Sequence, residues 1–525
     1  MKHLRKFDSV SEMNTALASA TIDILALAYD NGTPVLKAKQ GSSPTPDPSI
    51  PFYVENITQE TETLTISKNE MQPGELSFPV EISIDGTTWS TFGTTGGTPL
   101  TRTLQPGDKV YLRATTDSWK SYWEDYSYCI TGVSKVGGNI MSLLYGSNFT
   151  GNETTFPSES DHNFYSLFYN MDTRENADLI NASELILPAV TLTDSCYESL
   201  FFGCTSLTTA PAILPATTLA VSCYSTMFSG CTSLTTAPAI LPATTLAGSC
   251  YYYMFYDCTT LTTAPTLPAT TLANNCYGYM FKNCTSLTTA PALPATTLTN
   301  NCYQSMFQNC GALTAAPALP ATTLANECYG DMFNGCTSIT TAPLTLPATT
   351  LAFGCYYGMF SGCRLTTAPV LPATALTESC YQGMFKNCTS LTTAPALPAT
   401  TLARLCYGAM FSGCTSLTTA SALPATTLAN QCYGGMFQGC TSLVTAPELP
   451  AETLANYCYM TMFNGCTNLN YIKCLATDIS ATTTTTDWVK GVASTGTFIK
   501  AASMSDWTTG NSGIPSGWTV QDATA

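Results

Sequence analysis

From Cys196 to Cys466 one unit recurs eleven times, and no other property of the chain restricts its fold as much. The copy at Leu293-Pro-Ala-Thr-Thr-Leu-Thr-Asn-Asn-Cys302-Tyr-Gln-Ser-Met-Phe-Gln-Asn-Cys310 shows the pattern. Each unit carries two cysteines eight residues apart: Cys196 and Cys204, Cys223 and Cys231, Cys250 and Cys258, Cys276 and Cys284, Cys302 and Cys310, Cys328 and Cys336, and so on to Cys458 and Cys466. The first of each pair steps forward by 25 to 27 residues; tyrosine always follows it, and phenylalanine always stands five residues on. A unit this short cannot close a core, whereas stacked copies can cover one another, so the spacing predicts a solenoid. At a strand spacing of about 4.8 Å its length is on the order of 50 Å.

Within a unit, Cys276, Tyr277, Met280, Phe281 and Cys284 fall at helical spacing, which predicts one stripe of a helix of about two turns. The residue before the second cysteine is Gly, Asn or Asp in every unit, types that accept a left-handed conformation and end helices. Thr-Ser-Leu-Thr-Thr-Ala-Pro then reads as a short strand, leucine inward and threonine outward, cut by its proline. Caps are expected on both sides. Upstream, in residues 136–195, Phe164, Leu167 and Phe168 echo Tyr197, Leu200 and Phe201, with Asn163 and Met171 where the cysteines would be; downstream, in 471–525, Trp488, Phe498, Trp507 and Trp518 supply bulk beyond the break at Thr482 to Thr486.

The paired cysteines admit several readings. A spacing of C-x7-C lacks the short C-x2-4-C of a zinc site, and only His3 and His162 could assist. Eight helical residues span about 12 Å, too far for a disulfide, which needs about 4 to 7 Å between Cα atoms. Bridges between neighbouring units are geometrically open, but eleven cysteines in a column cannot all pair. Buried free thiols acting as small hydrophobes are the expectation, with no metal or cofactor.

Met-Phe-x-x-Cys-Thr-Ser-Leu-Thr-Thr followed by Leu-Pro resembles the BspA-type leucine-rich repeat, Ala-Phe-x-x-Cys-x-x-Leu followed by Ile-Pro. The resemblance covers roughly 163 to 470, and departs in Met for Ala, Cys for Ile and two or three extra residues per turn. It implies adhesion and ligand binding at bacterial surfaces. The fold class is therefore α+β and multidomain, with eleven leucine-rich repeats over 196–470.

Ahead of the repeats, residues 1–40 read as a helix opened by Ser9 with Glu12 three on, then a hairpin, Thr21 to Tyr29 and Thr33 to Lys39, turned by Asp30-Asn31-Gly32. A segment this short rarely folds unaided, so it is expected to attach to another chain or to oligomerise, for example as a trimer. It resembles the N-terminal segment of structural proteins in phages and prophages of gut Bacteroidetes, which implies attachment to other virion proteins. Residues 41–51 form a proline-rich linker. Over 52–135, alternating segments at Thr63 to Ser67, Val80 to Ile84, Thr87 to Phe92 and Lys109 to Ala114 predict a small β-sandwich.

The net charge of −16 argues against nucleic acid, and no apolar run of membrane length occurs. No secretory leader is evident at the start, where the best apolar run is Ile24 to Tyr29. Catalysis has little support: residues 196–466 hold no histidine and only eleven scattered charges, and Glu327 with Asp331, one helical turn apart, reads first as a solvated helix face. The recurring Leu-Pro-Ala-Thr segments are similar to a sortase signal but lack its following glycine, its terminal hydrophobic tail and its basic end. Strand threonines form either a hydroxyl lattice for sugars or a solvated face. Variation is concentrated in the pair after each Cys-Tyr, and Tyr252, Tyr253, Tyr256, Tyr279 and Tyr357 are the outward aromatics of interest, against their reading as ordinary surface. Trp119, Tyr122, Trp123, Tyr126 and Tyr128 form a second cluster, suited to domain packing or to stacking on a glycan. The expectation is a non-enzymatic virion fibre or decoration binding a host surface glycan or protein. The alternative is a bacterial cell-surface adhesin, and a glycan-active enzyme comes third.

Overall fold

The computed structural model describes residues 3–6, 24–30, 33–39, 46–70, 79–94, 98–114, 126–157, 162–169, 176–505 and 507–524. It divides into two units, Met1–Ile50 and Pro51–Ala525. In the first, strand β1 (His3–Lys6) runs parallel to β2 (Ile24–Asp30), which pairs antiparallel with β3 (Thr33–Lys39). Asp30 faces Thr33 in the register, the tight closure that Asp-Asn-Gly favours. The helix expected at Ser9 lies outside the described residues.

The second unit opens with alternating segments that form two sheets. The smaller has the order β10-β5-β8 (Tyr126–Thr131, Glu62–Glu70, Leu100–Leu104). The larger has the order β12-β11-β4-β9-β6-β7 (Asn181–Ile186, Lys135–Asn139, Tyr53–Glu55, Lys109–Ala114, Pro79–Ser83, Ser90–Thr94). Leu64, Ile66, Val80, Leu104, Val110 and Leu112 are buried in the shared core. The larger sheet does not stop at the repeats: β12 pairs parallel with β11 on one edge, and Asn181 bridges Thr209 on the other, followed by Thr236 and Thr263. Three parallel strands, β13 (Tyr471–Cys474), β14 (Thr497–Lys500) and β15 (Thr519–Asp522), end the unit.

The helix expected in each repeat is not there; its place is taken by a chain of turns. Asn275, Tyr279 and Asn283 have φ of 58°, 57° and 64°, one left-handed residue in every four. Even-numbered N–H groups close local turns, Gly278 to Asn275 O (3.1 Å), Met280 to Tyr277 O (3.3 Å) and Lys282 to Tyr279 O (3.1 Å). Odd-numbered ones donate to the next repeat, Tyr277 to Cys302 O (3.0 Å), Tyr279 to Gln304 O (2.8 Å) and Phe281 to Met306 O (2.9 Å). A helix would keep all its N–H groups to itself. The alternation keeps half for the turn and uses half to join units, so these backbone N–H groups are satisfied and the stack is hydrogen-bonded along its axis. Strands are likewise shorter than expected. Thr209, Thr236 and Thr263 form single-residue bridges, because the proline two residues later has no N–H to extend them.

Side chains of successive units lie over one another. Tyrosines from Tyr197 to Tyr459 stack with ring centroids 5.6 to 6.1 Å apart, and a parallel column of phenylalanines runs from Phe168 to Phe463. At the upstream end Phe164 lies on Tyr197 (5.9 Å) and Phe168 on Phe201 (5.1 Å). At the downstream end Trp488 meets both columns, 6.1 Å from Tyr459 and 6.2 Å from Phe463, and its indole N–H donates to Gly513 O (2.8 Å).

All 24 cysteines are buried and unbridged. The second thiol of every unit donates to the phenylalanine carbonyl of the unit before, as Cys284 does to Phe255 O (3.0 Å) and Cys310 to Phe281 O (3.0 Å). That carbonyl already takes the N–H three residues on, so the thiol fills its second lone pair. No three His, Cys, Asp or Glu side chains among the described residues gather as a metal site. Burial raises the thiols of Cys302 and Cys336 to about 12, which leaves almost no thiolate at neutral pH. A disulfide-exchange reagent at about pH 8 is therefore expected to find essentially no reactive thiol in the folded chain and 24 after denaturation. Rapid reaction of half of them in the folded chain would contradict this packing.

Candidate functional site

The turn chain also decides which side chains reach the surface. Tyr253 and Tyr279 occupy equivalent left-handed positions in adjacent repeats, with φ of 54° and 57°, and their rings stack at 4.5 Å and 9°. Tyr252 lies edge-on to both, at 4.5 Å from Tyr253 and 5.7 Å from Tyr279, and Tyr256 sits 5.1 Å from Tyr253. Four of the five outward aromatics thus form one partly exposed cluster. The Lys282 ammonium stands 5.3 Å from the Tyr279 ring. Burial pushes the Tyr279 hydroxyl above its ordinary value, with Tyr252, Asp331 and Glu327 adding to the shift and a hydrogen bond with Ser305 opposing it.

Asp331 and Glu327 belong to a groove of about 350 Å³ beside this cluster, lined by Gln304, Glu327, Gly330, Asp331, Phe353, Gly354, Tyr357, Ser379 and Gln382. The two carboxylates are not on a helix face. They occupy successive left-handed positions of one turn chain, with φ of 50° and 52°. Glu327 accepts from Gln304 Nε2 (2.7 Å) and Asp331 from Asn334 Nδ2 (2.8 Å). The next repeat has glycine at both equivalent positions. A Cβ on Gly358 would stand 2.2 Å from Asp331 Oδ1, and one on Gly354 3.1 Å from Glu327 Cγ, so these glycines give the carboxylates their room. Burial raises the Asp331 carboxyl above its usual range, against the Asn334 hydrogen bond and the charge of Lys282. Phe353 and Tyr357, 43% and 42% exposed, offer aromatic faces to solvent. Acceptors, amides and an aromatic wall suit a ligand rich in hydroxyl or amine groups.

Trp119, Tyr122 and Trp123 lie outside the described residues, and Tyr126 opens β10. Tyr128 is buried in the core. Some of the threonines are engaged with the scaffold: Thr259, Thr262 and Thr285 each donate to a carbonyl of the preceding repeat. Phe353, Ser379 and the glycines were not anticipated. Their signal was present, because the two positions before each first cysteine vary as much as the two after each Cys-Tyr.

Residues 194–340 and 323–443 match the family described as BspA type Leucine rich repeat region, in six copies. Among solved structures, a leucine rich cell surface protein from Faecalibacterium prausnitzii A2-165 is similar at 15% identity, with 69% of this chain and 84% of that chain covered and a TM-score of 0.32. No curated protein matches. The family match lies within the repeats.

Proposed function

We propose that the chain is a non-enzymatic adhesin of a bacterial cell surface, in which BspA-type repeats hold out a binding face running from the Tyr252, Tyr253, Tyr256 and Tyr279 cluster into the groove at Glu327, Asp331 and Tyr357. One observation carries the reading: four consecutive repeats, from Gln304 to Gln382, bring aromatics, carboxylates and amides together in a single groove. The family match of the repeats supports a surface role over a virion one. The ligand is a surface glycan or a protein; aromatic faces with hydroxyl-accepting carboxylates favour the glycan. Residues 1–40 serve as the attachment or oligomerisation segment, and several copies on one surface would multiply a weak contact.

The test has two arms. Immunogold labelling is expected on the envelope of uninfected cells; label confined to purified phage particles would return the protein to the virion. On a glycan array, Tyr357→Ala and Asp331→Asn are each expected to weaken binding about tenfold, the scale of one lost stacking or charge-assisted contact. Their melting temperatures should match the parent's. Unchanged binding by both variants would place the ligand elsewhere, and release of reducing sugar from a bound glycan would make the protein an enzyme.

A further inference from the structure

The groove of about 350 Å³ holds negative charge that the protein does not balance. Among the described residues, neither Glu327 nor Asp331 forms an ion pair, whereas Glu378, in the same repeats, is held by Arg404 at 2.6 Å. Both half-buried carboxylates are met only by neutral amides, Gln304 at Glu327 Oε2 and Asn334 at Asp331 Oδ1. Glu327 Oε1 and Asp331 Oδ2 take no hydrogen bond from any described residue, although each oxygen can accept two. Lys282 acts on Asp331 only at a distance, its ammonium resting 5.3 Å from the Tyr279 ring. The approach to the free oxygens is kept clear by Gly354 and Gly358, and Gly354 is the only glycine at its position in the eleven repeats. Phe353 and Tyr357 add exposed ring faces, which attract cations as well as sugar rings.

A neutral ligand closing over this groove would shield both carboxylates from water and return no charge to them. A protonated amine returns one, and its three N–H donors suit the two free oxygens. Resting on the glycan reading above, we propose that the groove selects a sugar with a free amine, a hexosamine without its N-acetyl group. The ammonium sits between Glu327 and Asp331, the sugar ring lies on Tyr357, and ring hydroxyls meet Gln304 and Gln382. N-acetylation would remove the charge and leave one N–H donor of the three.

The test is calorimetric titration of the full chain with a glucosamine oligomer and with its N-acetylated counterpart of equal length, at about pH 6.5, where an amine is protonated. The free-amine oligomer is expected to bind at least about tenfold more tightly, the scale of one hydrogen bond to a charged group. Glu327→Gln combined with Asp331→Asn should abolish the preference at an unchanged melting temperature. Lys282→Gln, which removes the competing cation, should strengthen amine binding roughly twofold, the scale of an exposed charge contact. Glu452→Gln makes the same charge change at an exposed site four repeats or more away and should leave the preference intact. An equal loss in Glu452→Gln would trace the preference to the net charge of −16 and overturn the proposal. A lysine oligomer binding as tightly as the glucosamine oligomer would overturn it too, since the sugar would then contribute nothing. Equal binding of the two sugars, weakened in both by Tyr357→Ala, would overturn the amine selection and leave the glycan reading standing; binding of neither would remove both.

Discussion

Raising the pH from about 9 to about 11 is expected to unfold the repeat stack in one steep transition, seen together by far-ultraviolet circular dichroism and by tyrosinate absorbance. The cause is the density of buried acids that must stay neutral. The thiols of Cys302, Cys336, Cys355 and Cys380 rise from an ordinary 9.0 to about 12, and those of Cys284 and Cys310 also rise well above it, in each case chiefly through burial. The stacked tyrosines Tyr277 and Tyr329 are raised in the same sense and for the same first reason. Between about pH 9 and about pH 12 the unfolded chain has released these protons and the folded chain still holds them. The folded state then binds more protons, and stability falls as pH rises. Each thiol costs about 1.4 kcal/mol per pH unit in that window, so a repeat with two thiols loses roughly 5 kcal/mol by about pH 11. This is of the order of a whole small domain's stability, concentrated in some 26 residues. Below about pH 9 the contribution is constant and no such loss is expected. Tyrosines that ionise smoothly near their ordinary value, with the dichroism intact at about pH 11.5, would show that the column is open to solvent.

How much of this was legible beforehand depended on which physical signal each residue carries. Burial was legible: Cys276, Tyr277, Met280, Phe281 and Cys284 had to face inward, and all are 0 or 1% exposed. The secondary structure was not, because a turn chain with a left-handed residue every fourth position places i, i+4 and i+8 on one side just as a helix does. Side-chain spacing cannot separate the two. The discriminating signal lay in Asn275 and Asn283, poor helix formers that tolerate left-handed backbone and stand eight residues apart, at two of the three left-handed positions of the turn chain. Glu327 and Asp331 were misread for the same reason: placed on an imagined helix they look solvated, while on the turn chain they flank a groove that needs Gly354 and Gly358 from the next repeat. A site assembled from four repeats has no local spacing to betray it.

Removing one ring from the phenylalanine column is expected to divide the stack. Phe281 is fully buried between Phe255 at 5.5 Å and Phe307 at 5.6 Å, with interplanar angles of 1° and 6°. Phe281→Ala should cost about 3 to 5 kcal/mol in transfer and cavity terms. In a globular core that loss spreads over many neighbours. Here each repeat touches only the two beside it, so the whole deficit falls on two interfaces. Its effect on the backbone is direct, because Phe281 also donates to Met306 O (2.9 Å) and its carbonyl holds both Cys284 N–H (3.0 Å) and the Cys310 thiol (3.0 Å). A single calorimetric transition in the parent should become two in the variant, and limited proteolysis should cut near residue 281 and leave fragments on either side. Leu344→Ser, at a side chain 87% exposed, serves as the comparison and should leave the transition within about 0.5 kcal/mol of the parent. If Phe281→Ala melted as one transition at an unchanged temperature, the rings would not be the units through which the repeats hold one another. The stability would then reside in the hydrogen-bonded turn chain alone, which links Phe281 to Met306 whatever the side chain.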